Sequence, residues 1–370
     1  MRHHNTLLHD LLKFIPWNEF DRLVDKHGSD ARVRTLSTKS QFVALLHAQL
    51  AGLTSLRDIV AAMHSHSSKL YHVGAKAPRR STLADANANR PADMFADLLH
   101  TLVGQLHRGS RKAVGDALLL IDSTCVPLHA LSQNWATDKK RAGACAKLHV
   151  GLDACSGAPV HFDITPVRTN DITVAKTIVL LPGATHVFDM GYYDFGWWRQ
   201  LHEAQCRFVT RLKTHTKPAI IEERAVATHD VDETEIIHDH EIALSHRLKG
   251  NRKNPLDGVR LREVKVRISS GKKLRIVTND MDASAAEIAA LYKTRWQIEL
   301  FFKWVKQNLK IKRFLGTSEN AVRIQLIVAL IAYVLLKLAH RVQTQITRLS
   351  RFTSLVAQNL MHYRSIKQLA

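Results

Sequence analysis

Apolar positions recur along the chain at two different periods, and the change of period divides it into regions. Phe14, Trp17, Phe20 and Leu23 fall three and four apart, the spacing of one helix face. A second amphipathic run covers residues 41–50, and the stretch Leu53-Thr54-Ser55-Leu56-Arg57-Asp58 caps and starts a third helix through Met63. Residues 1–75 are therefore expected to form a module of short helices. A loop of Pro78, Arg79, Arg80 and Ser81 leads into a helical connector, 76–112, ending near Arg111. From Ala113 the texture becomes that of strands. Residues 117–121 form a continuous apolar run that ends at Asp122. Residues 147–152 and 160–167 read as a hairpin around Cys155-Ser156-Gly157-Ala158-Pro159. A helix is expected over 172–181, a short strand over 186–188 ending at Asp189, and another over 207–212. Together these predict a mixed α/β sheet over 113–216.

Residues 217–280 break the pattern. They are polar and charged, with β-branched runs at 264–268 and 274–278 and turns at Gly258 and Gly271, which predicts a β-rich insertion. Helices resume near Ser284, giving a second part of the core over 281–316 and C-terminal helices over 317–370. The apolar run at 326–336 is too short for a membrane span, which needs about 20 residues, so a buried core helix is expected there.

Charge changes the picture more than composition does. Apolar residues make up 45%, an ordinary globular share. Lys and Arg number 53 against 33 Asp and Glu, a net +20 with the 22 His neutral, so a polyanion such as nucleic acid becomes the first candidate partner. The three basic-flanked N-terminal helices then suit a DNA-binding head, and suit a plain helical bundle as well. Cys125, Cys145, Cys155 and Cys206 show no paired spacing, which predicts buried thiols in a reducing compartment and no zinc site. His3, His4, His9 and Asp10 interrupt any secretory run, so a cytoplasmic, nucleoid-associated protein is expected.

The candidate chemistry begins on the helix expected around 291–309. Tyr292, Arg295, Glu299 and Lys306 fall within roughly a 60° arc of one face, beside an apolar stripe of Leu291, Ile298, Phe302, Val305 and Leu309. Such a face is often only a solvated surface with i,i+4 pairs. Asp122 and Asp189 argue for more, because each ends an apolar strand, where an ionised carboxylate is costly unless paired, capping or bound to metal. Two such acids and a Glu on a docked helix make an oxygen-ligand set for Mg²⁺. Two ions about 4 Å apart would serve both oxygens of a phosphoryl displacement.

These motifs resemble the DDE transposases of bacterial insertion sequences, specifically the cut-and-paste group bearing the Tyr-Arg-Glu-Lys (YREK) signature. That signature reads Tyr, two residues, Arg, three, Glu, six, Lys, the register of Tyr292, Arg295, Glu299 and Lys306. Ile121-Asp122-Ser123-Thr124 and Asp189-Met190-Gly191-Tyr192 match the contexts of the two aspartates, and the 109 residues between Asp189 and Glu299 leave room for the insertion such enzymes carry. The likeness covers 113–316, with a weaker likeness of 1–75 to a helical N-terminal module found in one branch. It implies an RNase H-like fold in which Asp122, Asp189 and Glu299 are catalytic and bind two Mg²⁺ ions, Mn²⁺ being able to substitute. It further implies that Tyr292, Arg295 and Lys306 contact DNA phosphates near the cut. The activity implied is metal-dependent cleavage at element ends and strand transfer into target DNA. The partners would be double-stranded terminal inverted repeats and target DNA, with the protein acting as a homodimer on DNA. Hairpin-forming relatives stack a flipped base on a Trp in the insertion, whereas 217–280 contains no Trp, Phe or Tyr. Either Trp296 or another residue outside the insertion serves instead, or the hairpin route is not used.

Two alternatives stand beside this reading: a nuclease or resolvase of the same fold without strand transfer, and a DNA-binding regulator on an inert nuclease fold. The presence of all three carboxylates gives the second no support. His238-Asp239-His240-Glu241 invites a metal site, but its charged surroundings favour a solvated strand or turn. Asp153, Asp163, Asp171 and Asp194 are read as turn, cap or surface residues, with Asp194 able to support the loop after Asp189. Trp197 and Trp198 are expected in the core, and His149 and His161 packed on strands. Ser123 and Thr124 lack a nucleophile elbow, and no phosphate-cradling glycine loop is present.

Overall fold

Ten strands form one continuous sheet in this computed structural model, which describes residues 5–108, 117–138, 143–226, 234–248, 250–309 and 314–369. The strands are β1 (Leu118–Leu128), β2 (Thr137–Asp138), β3 (Gly143–Asp153), β4 (Pro159–Pro166), β5 (Thr185–Phe188) and β6 (Arg207–Arg211). The insertion adds β7 (Ala219–Glu223), β8 (Glu235–Ala243), β9 (Arg260–Arg267) and β10 (Lys273–Thr278). The change of texture expected between Arg111 and Ala113 lies outside the described residues.

The core of the sheet is β4-β3-β1-β5-β6. β1 runs antiparallel to β3, and β3 to β4, while β1, β5 and β6 are parallel. This is the RNase H-like mixed sheet. Alternating burial explains its local order: Leu120 faces one apolar core with Leu148 and Val150, while Ile121 faces another with Phe188, Tyr192 and Trp198. The helix expected over 172–181 is only Asp171–Ala175. Pro182 disfavours helical backbone in the residue before it, and Gly183, at φ +83°, turns the chain back toward β5.

The insertion continues the sheet beyond β6. β10 pairs antiparallel with β6 through Ile276, Val277 and Thr278, and β9, β8 and β7 follow outward. Residues 264–268 and 274–278, read as short strands, belong to β9 and β10.

A helical body covers the other side. Glu319–Val342 lies at its centre and packs against the helices Thr38–Ala51, Arg80–Asn89 and Ala92–Arg108. This helix is long and apolar enough to cross a bilayer, but 89% of its apolar window is buried within the fold, as a core helix should be. Thr38–Ala51 is not amphipathic as expected; it is buried from Ser40 through Leu50. Its polar groups find partners there, since an unpaired buried polar group is costly. Gln41 donates to Asn87 (2.8 Å) and accepts from Arg90 (2.8 Å), and Gln49 donates to the carbonyl of Leu309. Residues 1–75 and the C-terminal helices thus share one core. The chain ends meet as well, with the Leu7 and Leu8 amides bonded to the carbonyls of His362 and Leu360.

The outer strands are pinned by a charge pair. Asp239 on β8 accepts two bonds from Arg262 on β9, at 2.7 and 2.6 Å, and both residues are 2% exposed. Removing one partner strands the other charge in the interior. Asp239→Ala should therefore cost about 3–5 kcal/mol in denaturant unfolding, and the double change Asp239→Ala with Arg262→Met should recover most of it. A single-variant loss below about 1 kcal/mol would show that the pair is not isolated from water.

Candidate active site

The parallel ladder between β1 and β5 ends at the pair Ile121 and Phe188. The next residue on each strand is an aspartate, so Asp122 and Asp189 emerge side by side where the strands part. Asp122 does not end its strand, as the apolar run suggested: β1 continues to Leu128, paired from there on with β3. What ends at Asp122 is the cover of a parallel neighbour. The chain beyond Phe188 turns at once, and the Asp189 Oδ1 accepts from the Gly191 amide at 2.7 Å. A Cβ on residue 191 would lie 2.9 Å from that oxygen, so a larger residue there would push the Asp189 carboxylate aside.

Asp122 is held at a pKa pushed up to about 6. Burial is the largest cause, and the Asp189 and Glu299 carboxylates add to it against the Ser123 amide (2.7 Å) and Arg295. Three acids therefore repel one another in one partly dry crevice, an excess of negative charge that a divalent cation would relieve.

Glu299 arrives from the helix Trp296–Asn308. The single helix expected over 291–309 is broken at Arg295, which ends Ala285–Thr294 and opens the next helix. The apolar stripe is largely as expected: Ile298, Phe302, Val305 and Leu309 are buried, and Phe301 joins them. Arg295 donates to Glu299 at 2.5 Å and lies 5.8 Å from the Tyr292 ring centre. Burial opposes the charge of Arg295, but Tyr292, Glu299 and Asp122 outweigh it and raise its pKa. Tyr292 itself is only 9% exposed, and burial raises its phenol. Lys306 reaches across to Thr124, its Nζ 2.6 Å from the hydroxyl, two residues along β1 from Asp122 and on the same face. The structure thus gathers Asp122, Asp189, Glu299, Arg295 and Lys306 around one crevice, with Tyr292 packed behind Arg295. Trp296, the residue after Arg295, is 57% exposed.

Among the described residues, no three Asp, Glu, His or Cys side chains converge as a ready ion cage. Glu299 is held by Arg295. Asp122 and Asp189 offer the hard oxygen donors a divalent cation takes, and Glu299 can join them by exchanging Arg295 for the ion.

On the other face of β1 lies a network that the sequence reading missed. Asp171, taken there as a turn residue, accepts from Ser123 Oγ (2.9 Å) and Lys147 Nζ (3.0 Å). The clue was the alternation of Lys147 and His149 on β3, opposite Cys125 and Ser123. Tyr192 is buried here, its phenol raised by burial and by Asp122, Asp171 and Asp189. Asp194 caps the helix Phe195–Glu203 and pairs with Lys176, so it does support the loop after Asp189. Trp197 and Trp198 are core residues, and His149 is buried against Thr165. His238 and His240 lie on β8 of the insertion, their rings stacked on each other.

Comparison with known proteins gives a consistent context. A family model described as a transposase DDE domain matches residues 114–335, and a second, described as a domain of unknown function, matches residues 3–76. The chain is 42% identical over 289 residues to a putative transposase of Sinorhizobium fredii, covering 78% of this chain and 79% of the relative. It is 28% identical to a probable transposase for insertion sequence element IS5377 of Geobacillus stearothermophilus, covering 91% and 85%. A solved piggyBac transposase synaptic complex with hairpin DNA aligns at 11% identity and a TM-score of 0.46, covering 97% of this chain and 80% of that one.

The crowding of carboxylates has a measurable consequence. Asp122 binds its proton more tightly folded than unfolded, its pKa rising from 3.8 to about 6, so its effect on stability is unfavourable above that range. The contribution of Asp122 to the stability of the metal-free protein should fall as pH rises from about 4 to about 6, against the opposite trend from the buried His47, His149 and His186. Asp122→Asn should remove that fall, stabilising the protein by up to about 3 kcal/mol near pH 7.5, with the gap closing toward pH 4. Chelator-treated melts across this range check it; equal stability at pH 7.5 contradicts the crowding.

Proposed function

This chain belongs to the DDE transposase family, and on that premise we propose that Asp122, Asp189 and Glu299 are the catalytic carboxylates that hold its divalent metal ions. The enzyme acts on DNA in transposition, and DDE transposases use divalent metal ions. We assign two Mg²⁺ ions here, with Mn²⁺ as a substitute, because Asp122 and Asp189 present only hard oxygen donors. When bound, they would lower the cost of charge on the attacking and leaving oxygens of an in-line displacement at phosphorus. The observation that carries this reading is the emergence of the two aspartates beside each other where β1 and β5 part, with the Glu299 helix docked over them.

The protein's own groups do the rest. Arg295 exchanges Glu299 for a DNA phosphate, to which its planar fork can bind bidentately, and that exchange frees Glu299 to face the two aspartates. Lys306, steadied by Thr124, holds a second positive charge beside the scissile phosphate. Tyr292 fixes the guanidinium from behind. Water is the nucleophile in the first displacement and leaves a 3′-OH; that hydroxyl attacks a target phosphate in the second, releasing a target 3′ oxygen. Residues 1–75 recognise the element ends, two chains act together on DNA, and the protein associates with the nucleoid. For a hairpin route, Trp296 is the exposed aromatic next to Arg295 in the chain.

Asp122→Ala and Asp189→Ala should each abolish metal-dependent nicking of an element end while leaving gel-shift affinity within a few-fold of the parent. Measurable nicking by either purified variant removes that residue from the site. Substitutions on the helix should fail in different ways. Glu299→Gln should stop cleavage with little loss of DNA binding. Arg295→Ala and Lys306→Ala should weaken binding and flatten its salt dependence, by roughly 0.9 of a unit of slope per lost phosphate contact. A Glu299→Gln variant that binds as poorly as Arg295→Ala would mean that the helix does not face DNA.

A further inference from the structure

A groove of about 970 Å³ begins at Met190, the neighbour of Asp189 in the chain, and runs outward over the insertion sheet to Ile220 on β7. Its lining is strongly biased. Among the described residues it holds six Lys or Arg side chains and one carboxylate, Glu263. That carboxylate is already neutralised, because Arg275 grips it with two bonds of 2.6 and 2.8 Å. Lys265, Lys272 and Lys273 take part in no ion pair among the described residues, and the last two are exposed. The groove is therefore a cationic channel on the insertion sheet, with Met190 at its inner end.

Its floor carries a second feature. His238 and His240 project from the same face of β8, and their rings lie parallel at 5° with centres 4.0 Å apart. Burial, then His240 and Lys265, lower the pKa of His238, so its ring is neutral near pH 7 and offers a flat face, not a point charge. A metal is not the natural occupant: Glu263, the acid facing this pair, is engaged by Arg275. The motif read from the sequence as a solvated strand is half hidden. Asp239 and Glu241 turn to the opposite face, and the two histidines line the groove.

We propose that this groove binds an unpaired DNA strand, with backbone phosphates on Lys265, Lys272 and Lys273 and a base laid against the His238–His240 stack. A run of cations beside an aromatic platform suits single strands, because stacking uses base faces that a duplex keeps covered. This assignment rests on the transposase reading for its DNA. It requires no cleavage.

The test uses the full chain in chelator, where nicking cannot occur, and follows anisotropy of a labelled oligo(dT) and of a random blunt duplex across a salt series. The joint change His238→Ala with His240→Ala should weaken oligo(dT) binding roughly tenfold and leave the duplex within about twofold. His240→Phe, which keeps an aromatic face, should retain most of the single-strand affinity. Lys265→Gln and Lys273→Gln should each lower the oligo(dT) salt slope by about 0.7. Unchanged oligo(dT) affinity in the histidine double variant overturns the proposal, as does an equal loss on both DNAs or unchanged slopes in both lysine variants. Because no divalent ion is present, failure here leaves the assignment of Asp122, Asp189 and Glu299 untouched, and failure of that assignment in nicking assays leaves this binding result standing.

Discussion

The structure turns on the point at which two parallel strands stop pairing. Up to Ile121 and Phe188, β1 and β5 share a ladder, and both neighbours of the next position are apolar. One residue further, each chain carries a carboxylate, and the Glu299 helix docks over the opening between them. Two acids a strand spacing apart cannot both ionise cheaply in a half-buried crevice. Folding has to bear the burial of Asp122 and, after it, that repulsion; both raise its pKa, and a doubly charged cation would relieve them. The crevice is thus a local weakness of the fold that a bound divalent cation would relieve.

Keeping the third carboxylate close requires the rest of the chain. The helix with Glu299 leans on the sheet through Ile298, Phe302 and Val305, and on Glu319–Val342 through Phe301 and Tyr333. Its far end is held from the N-terminal side, where Gln49 bonds the carbonyl of Leu309. Residues more than two hundred positions apart therefore meet to aim one glutamate. In this geometry the N-terminal helices are part of the scaffold of the carboxylate crevice. A change in how they sit would reach Glu299 through the Leu309 end of its helix.

Much of this was legible in the residues, for reasons that differ from place to place. The hairpin of β3 and β4, the short β5 and the buried core helix all announce themselves by period and length. Asp122 and Asp189 stand out because a charge after an apolar run is expensive. Three things were hidden. The break at Arg295 has no Gly or Pro to signal it, since Thr294, Arg295 and Trp296 can all sit in a helix. The burial of Thr38–Ala51 depends on distant partners for Gln41 and Gln49, so its polar residues imitate a solvated face. Asp171 gains its place from Ser123 and Lys147, which only strand register brings together. Local periodicity reports local structure; contacts set by pairing register do not show in it.

The central claim is that divalent ions sit between β1, the turn after β5 and the Glu299 helix. Ferrous iron can replace Mg²⁺ at oxygen sites, and with ascorbate and peroxide it cuts the polypeptide where it is bound. The direct measurement is to map those cuts on the DNA-bound protein by mass spectrometry. The account predicts cuts clustered at Asp122–Thr124, Asp189–Gly191 and near Glu299, competed away by excess Mg²⁺. Cuts concentrated at His238–His240, or a pattern that Mg²⁺ does not suppress, would contradict it.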